Sequence, residues 1–156
     1  MYINPKDSIK LSNVVSQKYD FHINDLKDTL NYFLHIVENN NLAPKSLCLY
    51  SINNIPLDGM IQGEFFISVK NELIDRLDGL EYYSYFCIEN MISTCMYENY
   101  EIKTEEAYFR LLKYIEENNM QQVTPIFNVF AGDTNFQYVY TKVGVMSEDD
   151  HKNYFN

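Results

Sequence analysis

The sequence predicts an α+β fold in which a strand-helix-strand-strand unit occurs twice and builds one antiparallel sheet, with both helices packed on one face. The first observation is a pair of amphipathic segments, at about 24–40 and 104–118, whose apolar residues recur at helical spacing. The second is that their ends match without a gap, residues 37–42 against 115–120. The third is that a proline then introduces a β-rich run in each half.

The first half is predicted to contain a strand, a helix and a hairpin. Its helix begins at Asn24, whose side chain can accept a hydrogen bond from a free backbone N–H of the first turn. The hairpin has a long connection, residues 51–63, which carries several apolar side chains. The expected strands cover residues 9–19, 46–50 and 65–69.

The second half is predicted to repeat this order. Its helix begins at Thr104, and Glu105 and Glu106 then suit the positive end of the helix dipole. Polar and apolar residues alternate before the helix, as they do in a half-buried strand. The expected strands cover residues 83–97, 126–130 and 137–143.

The domain organisation follows from these halves. Residues 1–146 are predicted to form a single domain of two pseudo-repeats, about 9–69 and 83–146, because the connector at 70–81 is too short to separate domains. The acidic tail, residues 147–156, is expected to be frayed.

Composition restricts the partners. The 156 residues include 12 Lys and Arg against 22 Asp and Glu, a formal net charge of −10, which argues against nucleic acid and anionic membranes as partners. No apolar run approaches the roughly 18 residues of a membrane span. The start of the chain lacks the apolar core of a secretory signal, so a cytoplasmic location is expected. Isolated cysteines, Cys48, Cys87 and Cys95, are then expected to be reduced core residues.

Catalytic signatures are absent from the sequence. It contains no GxSxG elbow, P-loop, GxGxxG or HExxH, and its five glycines do not cluster. Its three histidines have no ligand spacing. We therefore expect no enzymatic activity, no cofactor and no metal.

Aromatic residues are the most informative group, with 14 Tyr and 10 Phe but no Trp. Because only every second residue of a strand faces the core, some rings must face an open side of the sheet. Such a surface suits an organic cation, and it suits a helix of a protein partner equally well. The candidate binding residues are Tyr83, Tyr85, Tyr97 and Tyr100, together with Leu57 and Met60 of the long hairpin connection.

Two further positions belong to this candidate site. A small-molecule site for a cation would need a buried carboxylate, for which Glu98 and Glu89 are the candidates. Glu98 also belongs to an acidic cluster before the second helix, which suits either helix-dipole stabilisation or docking of a basic segment.

The repeated unit resembles the GyrI-like (SHS2-type) domain, the ligand-binding module of multidrug-sensing regulators. The resemblance lies in Tyr100, in the helix and turn at 111–119, and in the run PIFNVF at 125–130. It implies a ligand-contacting acidic residue at the position of Asn128, where this chain has a neutral amide, and the corresponding position of the first half is Leu47.

A second resemblance covers nearly the whole chain. It lies in the runs GEFF at 63–66, YFCIENMIS at 85–93 and QQVTPIF at 121–127, and in the ending from 131 to 139. These runs are similar to a firmicute family of accessory proteins of type VII (ESX) secretion, the EsaE-like toxin chaperones. This resemblance implies a cytoplasmic, non-enzymatic chaperone that binds a secreted nuclease toxin and presents it to the secretion machinery. The alternative is a GyrI-like module that binds an organic small molecule, such as an organic cation, in an aromatic groove.

Overall fold

The computed structural model describes residues 1–72, 77–97, 100–133, 135 and 137–148, with the backbone alone at 100–102. Six strands and two α-helices make up this part of the chain, in a strand-helix-strand-strand order that occurs twice. The elements are β1 (Asn4–His22), α1 (Leu26–Asn39), β2 (Leu49–Ile52), β3 (Met60–Ser68), β4 (Glu81–Met96), α2 (Tyr100–Glu117), β5 (Met120–Gly132) and β6 (Gln137–Ser147).

The sheet is a closed barrel, with its strands hydrogen-bonded in the ring β1-β3-β2-β5-β6-β4. The prediction of an open antiparallel sheet with both helices on one face is therefore wrong. Alternation along a strand shows which residues share a face, but the strand partners depend on contacts far apart in sequence. Strands twist, and closure pairs the edges that an open sheet would leave unpaired.

The described strand pairs are antiparallel: β1 with β3, β2 with β3, β4 with β6, and β5 with β6. The β5–β6 register shifts between Gln122 and Ile126, the stretch that contains Pro125. A proline has no backbone N–H for the ladder, so an irregularity at this point is expected.

The chain divides into two compact units, one of residues 10–87 and one of residues 1–9 with 88–156. In the 10–87 unit, α1 buries Phe33 against Phe65 of β3, with ring centroids 5.8 Å apart. In the other unit, Leu111 and Ile115 of α2 pack with Ile92 and Val143. The predicted pseudo-repeat boundaries, 9–69 and 83–146, stay a prediction.

The helix ends differ from the predictions by a few residues. A short 3-10 turn, Ile23–Asp25, precedes α1, and the Nδ1 of His22 accepts a hydrogen bond from the Asn24 N–H, so Asn24 is not the cap. The second helix begins at Tyr100, four residues before Thr104. No helix in the described residues is long and apolar enough to cross a membrane. Of the predicted tail, residues 149–156 lie outside the described part.

The three cysteines have different environments. Cys48 is buried, and burial raises the pKa of its thiol. Cys95 is half-buried and Cys87 is exposed, so the prediction that all three are core residues is wrong for Cys87. All three thiols are free.

Candidate functional site in the 10–87 unit

A cleft of about 690 Å³ lies in the 10–87 unit between β1 and the start of β4. Two of its lining residues, Ser16 and Tyr83, donate hydrogen bonds to the buried carboxylate of Glu64 on β3. The cleft is lined by Ser16, Gln17, Lys18, Gly79, Leu80, Glu81 and Tyr83.

Glu64 is only 7% exposed, although carboxylates are rarely buried without partners. The Ser16 hydroxyl donates a hydrogen bond of 2.6 Å to its Oε2, and the Tyr83 hydroxyl donates one of 3.3 Å to the same oxygen. Within the described residues, no hydrogen bond reaches Oε1. One carboxylate oxygen is thus held by the protein, and the other is left to accept a further partner.

The strand register places this carboxylate. Glu64 lies opposite Lys18 of β1 and opposite Ser51 of β2. Gly63 precedes it, and a Cβ added at that position would meet the Ser51 carbonyl oxygen at 2.5 Å. The missing side chain therefore lets β2 approach β3 closely at the position next to Glu64.

Three aromatic rings gather beside Glu64. Phe66 lies 4.7 Å from Phe86 and 6.2 Å from Tyr83 between ring centroids, and Tyr83 lies 6.0 Å from Phe86. Burial raises the pKa of Tyr83, and the negative charge of Glu64 raises it further. The phenol therefore stays protonated at neutral pH and remains a hydrogen-bond donor to the carboxylate.

Aromatic faces and a carboxylate together define what this arrangement can bind. A ring presents negative potential on its face, which attracts a cation within about 6 Å of the centroid. A partly desolvated carboxylate gains a compensating partner when an opposite charge reaches it. The site is therefore suited to an organic cation with apolar substituents.

A second cleft, of about 550 Å³, lies in the unit of residues 1–9 and 88–156. Nearby, the Nζ of Lys142 donates to Asp7 at 3.1 Å and to the Ser8 carbonyl at 2.9 Å, and the Ser93 hydroxyl donates to Asp7 at 2.6 Å. These two half-buried charges, Asp7 and Lys142, thus satisfy each other. Tyr2, Tyr97, Lys103, Glu106 and Tyr140 are among the residues that line this second cleft.

The predicted site residues are divided between the two units. Tyr83 lies at the cleft of the 10–87 unit, whereas Tyr85 is 63% exposed. Leu57 and Met60 are exposed around the 3-10 turn of the hairpin connection, and Tyr97 is exposed in the other unit. Their role in binding stays a prediction.

Two further predicted residues lie outside the described part: Glu98, and the side chain of Tyr100. The alternative carboxylate, Glu89, is exposed rather than buried. No group of three or more potential metal ligands occurs among the residues that the structure describes.

Asn128 is 1% exposed and is part of a hydrogen-bond network. Its Oδ1 accepts from the Thr141 hydroxyl at 2.8 Å, and its Nδ2 donates to the Tyr108 hydroxyl of α2 at 2.8 Å. A carboxamide can accept on one side and donate on the other, which a carboxylate cannot. The neutral residue at this position therefore fits a buried link between β5, β6 and α2.

Sequence reasoning missed Glu64, Ser16 and the Phe66–Phe86 pair. The available signal was a lone acidic residue within β3, which is otherwise buried over 63–68. Such a residue in a strand is ordinarily assigned to the solvent face, so only the three-dimensional neighbours identify it.

The domain-of-unknown-function family DUF5085 matches residues 10–147. The chain belongs to this family. No curated protein matches the chain.

Solved structures show the fold. The EcmrR C-terminal domain has a TM-score of 0.66 at 12% identity, covering 94% of this chain and 99% of that one. In the EcmrR–DNA complex the TM-score is 0.68 at 10% identity, covering 93% of this chain; the match spans 58% of the EcmrR chain.

Two other proteins share this architecture. A hydrolase from Listeria innocua has a TM-score of 0.59 at 6% identity, covering 90% of this chain and 91% of that one. SAV2435 bound to tetraphenylphosphonium has a TM-score of 0.55 at 12% identity, and the match covers 95% of this chain and 98% of that one. The predicted resemblance to the GyrI-like domain is therefore confirmed for the fold.

Proposed function

We propose that this protein is a non-enzymatic, cytoplasmic ligand-binding module that takes an organic cation in the cleft of the 10–87 unit. The observation that carries the proposal is the buried Glu64 carboxylate, which is held through one oxygen and lies beside the Phe66, Tyr83 and Phe86 rings. Of the two functions that the sequence suggested, the proposal therefore adopts the alternative, a module that binds a small molecule.

Two physical effects favour a bulky organic cation over a metal ion or a small hydrated cation. The aromatic rings gain from contact with apolar substituents, which a strongly hydrated ion lacks. The carboxylate supplies the charge, and Ser16 and Tyr83 hold it in place before the ligand arrives. Preorganisation of this kind lowers the free-energy cost of binding.

The structural likeness to SAV2435, whose structure holds tetraphenylphosphonium, supports this choice of ligand class by analogy of fold. The type VII secretion chaperone role is not supported by any of the comparisons and stays a prediction. The predicted absence of nucleic-acid partners and the predicted absence of enzymatic activity also stay predictions.

Titration calorimetry with tetraphenylphosphonium tests the proposal. We expect the wild-type protein to bind, and Glu64→Gln to lose about 2 kcal/mol of binding free energy, or roughly 30-fold in affinity, because a charge-assisted contact is removed. Glu64→Gln retains the shape of the side chain, and thermal unfolding checks that the variant still folds.

The matched control is Glu38→Gln, which removes one negative charge from the exposed face of α1 in the same unit. Its affinity is expected to stay within about twofold of wild type, because exposed charges interact weakly. Equal losses in both variants would assign the effect to net charge, and absence of binding by the wild-type protein would reject the proposal.

A further inference from the structure

Lys18 and Glu64 lie directly opposite each other on β1 and β3. Opposed residues of an antiparallel pair point to the same side of the sheet, with Cβ atoms about 5 Å apart, and opposite charges at such positions attract. These two side chains nevertheless do not pair. Within the described residues, Lys18 makes no ion pair and no side-chain hydrogen bond.

The Glu64 carboxylate has two other partners. Its Oε2 is turned toward Ser16 and Tyr83, which donate to it, while Lys18 is exposed and lines the cleft. The cleft is therefore lined by the Lys18 ammonium group and by Ser16 and Tyr83, the two residues that hold the Glu64 carboxylate. Glu81 also lines the cleft, and it forms no ion pair with Lys18 either.

A ligand with only a positive charge would not use this arrangement well. Lys18 would repel it from the same cleft in which Glu64 attracts it, and both charges act over a few ångströms. A ligand with a cationic centre and an acidic group would satisfy both side chains. Complementary charge of this kind fixes the orientation of a ligand more than it raises affinity.

We infer that the ligand of this cleft is a zwitterion: an organic cation that also carries a carboxylate or similar acidic group, with Lys18 as the residue that selects for that group. This inference rests on the proposed function, because it concerns the same cleft. It adds the requirement that the ligand carry an acidic group, which the binding of a simple cation does not need.

Two probes with the same head group separate the two ideas. (4-Carboxybutyl)triphenylphosphonium and pentyltriphenylphosphonium share the cation and a five-carbon chain, and they differ in the carboxylate. Titration calorimetry of the wild-type protein is expected to show tighter binding of the carboxylate probe. In Lys18→Gln, we expect that probe to lose about tenfold in affinity, because a charge-assisted hydrogen bond disappears.

The pentyl probe should not share this loss of affinity. Loss of the repelling ammonium group is expected to leave its affinity unchanged or to raise it by up to about threefold. Lys27→Gln is the matched control, since Lys27 is exposed on α1 and does not line the cleft. It should change both probes equally and by less than about twofold.

The outcomes distinguish the inference from the proposed function. If both probes bind and Lys18→Gln shifts them by the same factor, the zwitterion inference is overturned while cation binding stands. If neither probe nor tetraphenylphosphonium binds the wild-type protein, both are rejected. A loss of affinity in Lys18→Gln for the carboxylate probe that the pentyl probe does not share supports the inference.

Discussion

Two carboxylates show how this chain holds negative charge away from water. Glu64 is bound by two hydroxyl groups through one oxygen and keeps the other for a further partner. Asp7 instead uses both oxygens, which accept from Ser93, Lys142 and the Ser8 N–H. The first arrangement is suited to binding, and the second to stability.

Asp7 gives a pH-dependent contribution to folding. Burial alone would raise its pKa, but the hydrogen bonds from Ser93, Ser8 and Lys142 lower it below the usual value of 3.8. Because the folded-state pKa lies below the unfolded value, the contribution is complete above the unfolded pKa and is lost as the pH falls through the folded one.

We therefore expect Asp7→Asn to cost about 1–2 kcal/mol in the free energy of unfolding at pH 7, measured by urea denaturation. This deficit should shrink as the pH falls below about 4, because Asp7 of the unfolded wild-type chain then takes up a proton and the contribution to stability is lost. Glu105→Gln, an exposed position on α2, is the control and should cost less than about 0.5 kcal/mol. A deficit that grows in acid would contradict this assignment.

At the same scale, sequence reasoning identified Tyr83 but not the carboxylate beside it. Tyr83 stood out because it lies in an aromatic run, a local signal. Glu64 becomes recognisable only when β1 and β4 bring Ser16 and Tyr83 to it, from positions 48 and 19 residues away in the chain. Pair contacts of this kind leave no local pattern in one sequence.

Asparagine residues in the left-handed conformation end both helices. Asn41 follows α1 with φ 59°, and Asn119 follows α2 with φ 52°. The positions are equivalent in the sequence match of the two helix ends. Only glycine adopts this conformation without strain, and asparagine is the next most tolerant residue. At both helix ends the left-handed backbone occurs together with a side-chain hydrogen bond to a last-turn carbonyl, from Asn40 to Ile36 and from Asn118 to Tyr114.

Substitution of Asn119 tests this role of the backbone. Asn119→Ala is expected to lower the free energy of unfolding by about 1 kcal/mol, and Asn119→Gly to leave it unchanged or slightly raised, as followed by thermal unfolding. Glu116→Ala, exposed within α2, removes a side chain without a left-handed backbone and should be nearly neutral. If Asn119→Gly lowered the free energy of unfolding as much as Asn119→Ala, the Asn119 side chain, and not its φ angle, would be the cause.

At the element scale, the order of strands and helices agrees with the sequence periodicity, and their lengths do not. The first strand was expected over 9–19, and β1 covers Asn4–His22. The missed residues 4–8 include Pro5 and Asp7, which are unfavourable in strands on average. Hydrogen bonds of Asp7 with Ser93 and Lys142 stabilise this part of β1, and such tertiary contacts override local preference.

Net charge is a property of the whole molecule. The chain carries 22 acidic residues against 12 basic ones, and the described ion pairs account for few of them. Two of these pairs, Glu106 with Arg110 and Lys113 with Glu117, are exposed on α2 and contribute little. Self-repulsion of the remaining carboxylates therefore works against the compact state.

Salt should consequently stabilise the protein. Raising NaCl from about 20 mM to about 200 mM shortens the screening length, and we expect the thermal midpoint to rise by roughly 2–5 °C. KCl at equal ionic strength is the control and should give the same shift, since the effect depends on screening and not on a specific ion. A midpoint that falls with salt would show that attractive charge pairs dominate.

The whole-molecule topology was the least predictable level. Hydrophobic pattern fixes the faces of strands and helices, whereas closure of the ring β1-β3-β2-β5-β6-β4 depends on twist and on pairing between distant strands. The duplicated pattern suggested an open sheet, because two such units can pair edge to edge in one antiparallel sheet. No local pattern in the sequence predicts which strand edges pair with each other.

The hydrogen bonds that hold Oε2 of Glu64 have a kinetic consequence. A carboxylate already oriented by Ser16 and Tyr83 needs no rearrangement when the proposed ligand arrives, so the encounter step should be fast and similar for related ligands. Selectivity then appears in the dissociation rate. A tightly retained ligand would differ from a weak one by its residence time in the cleft, and not by how quickly it enters.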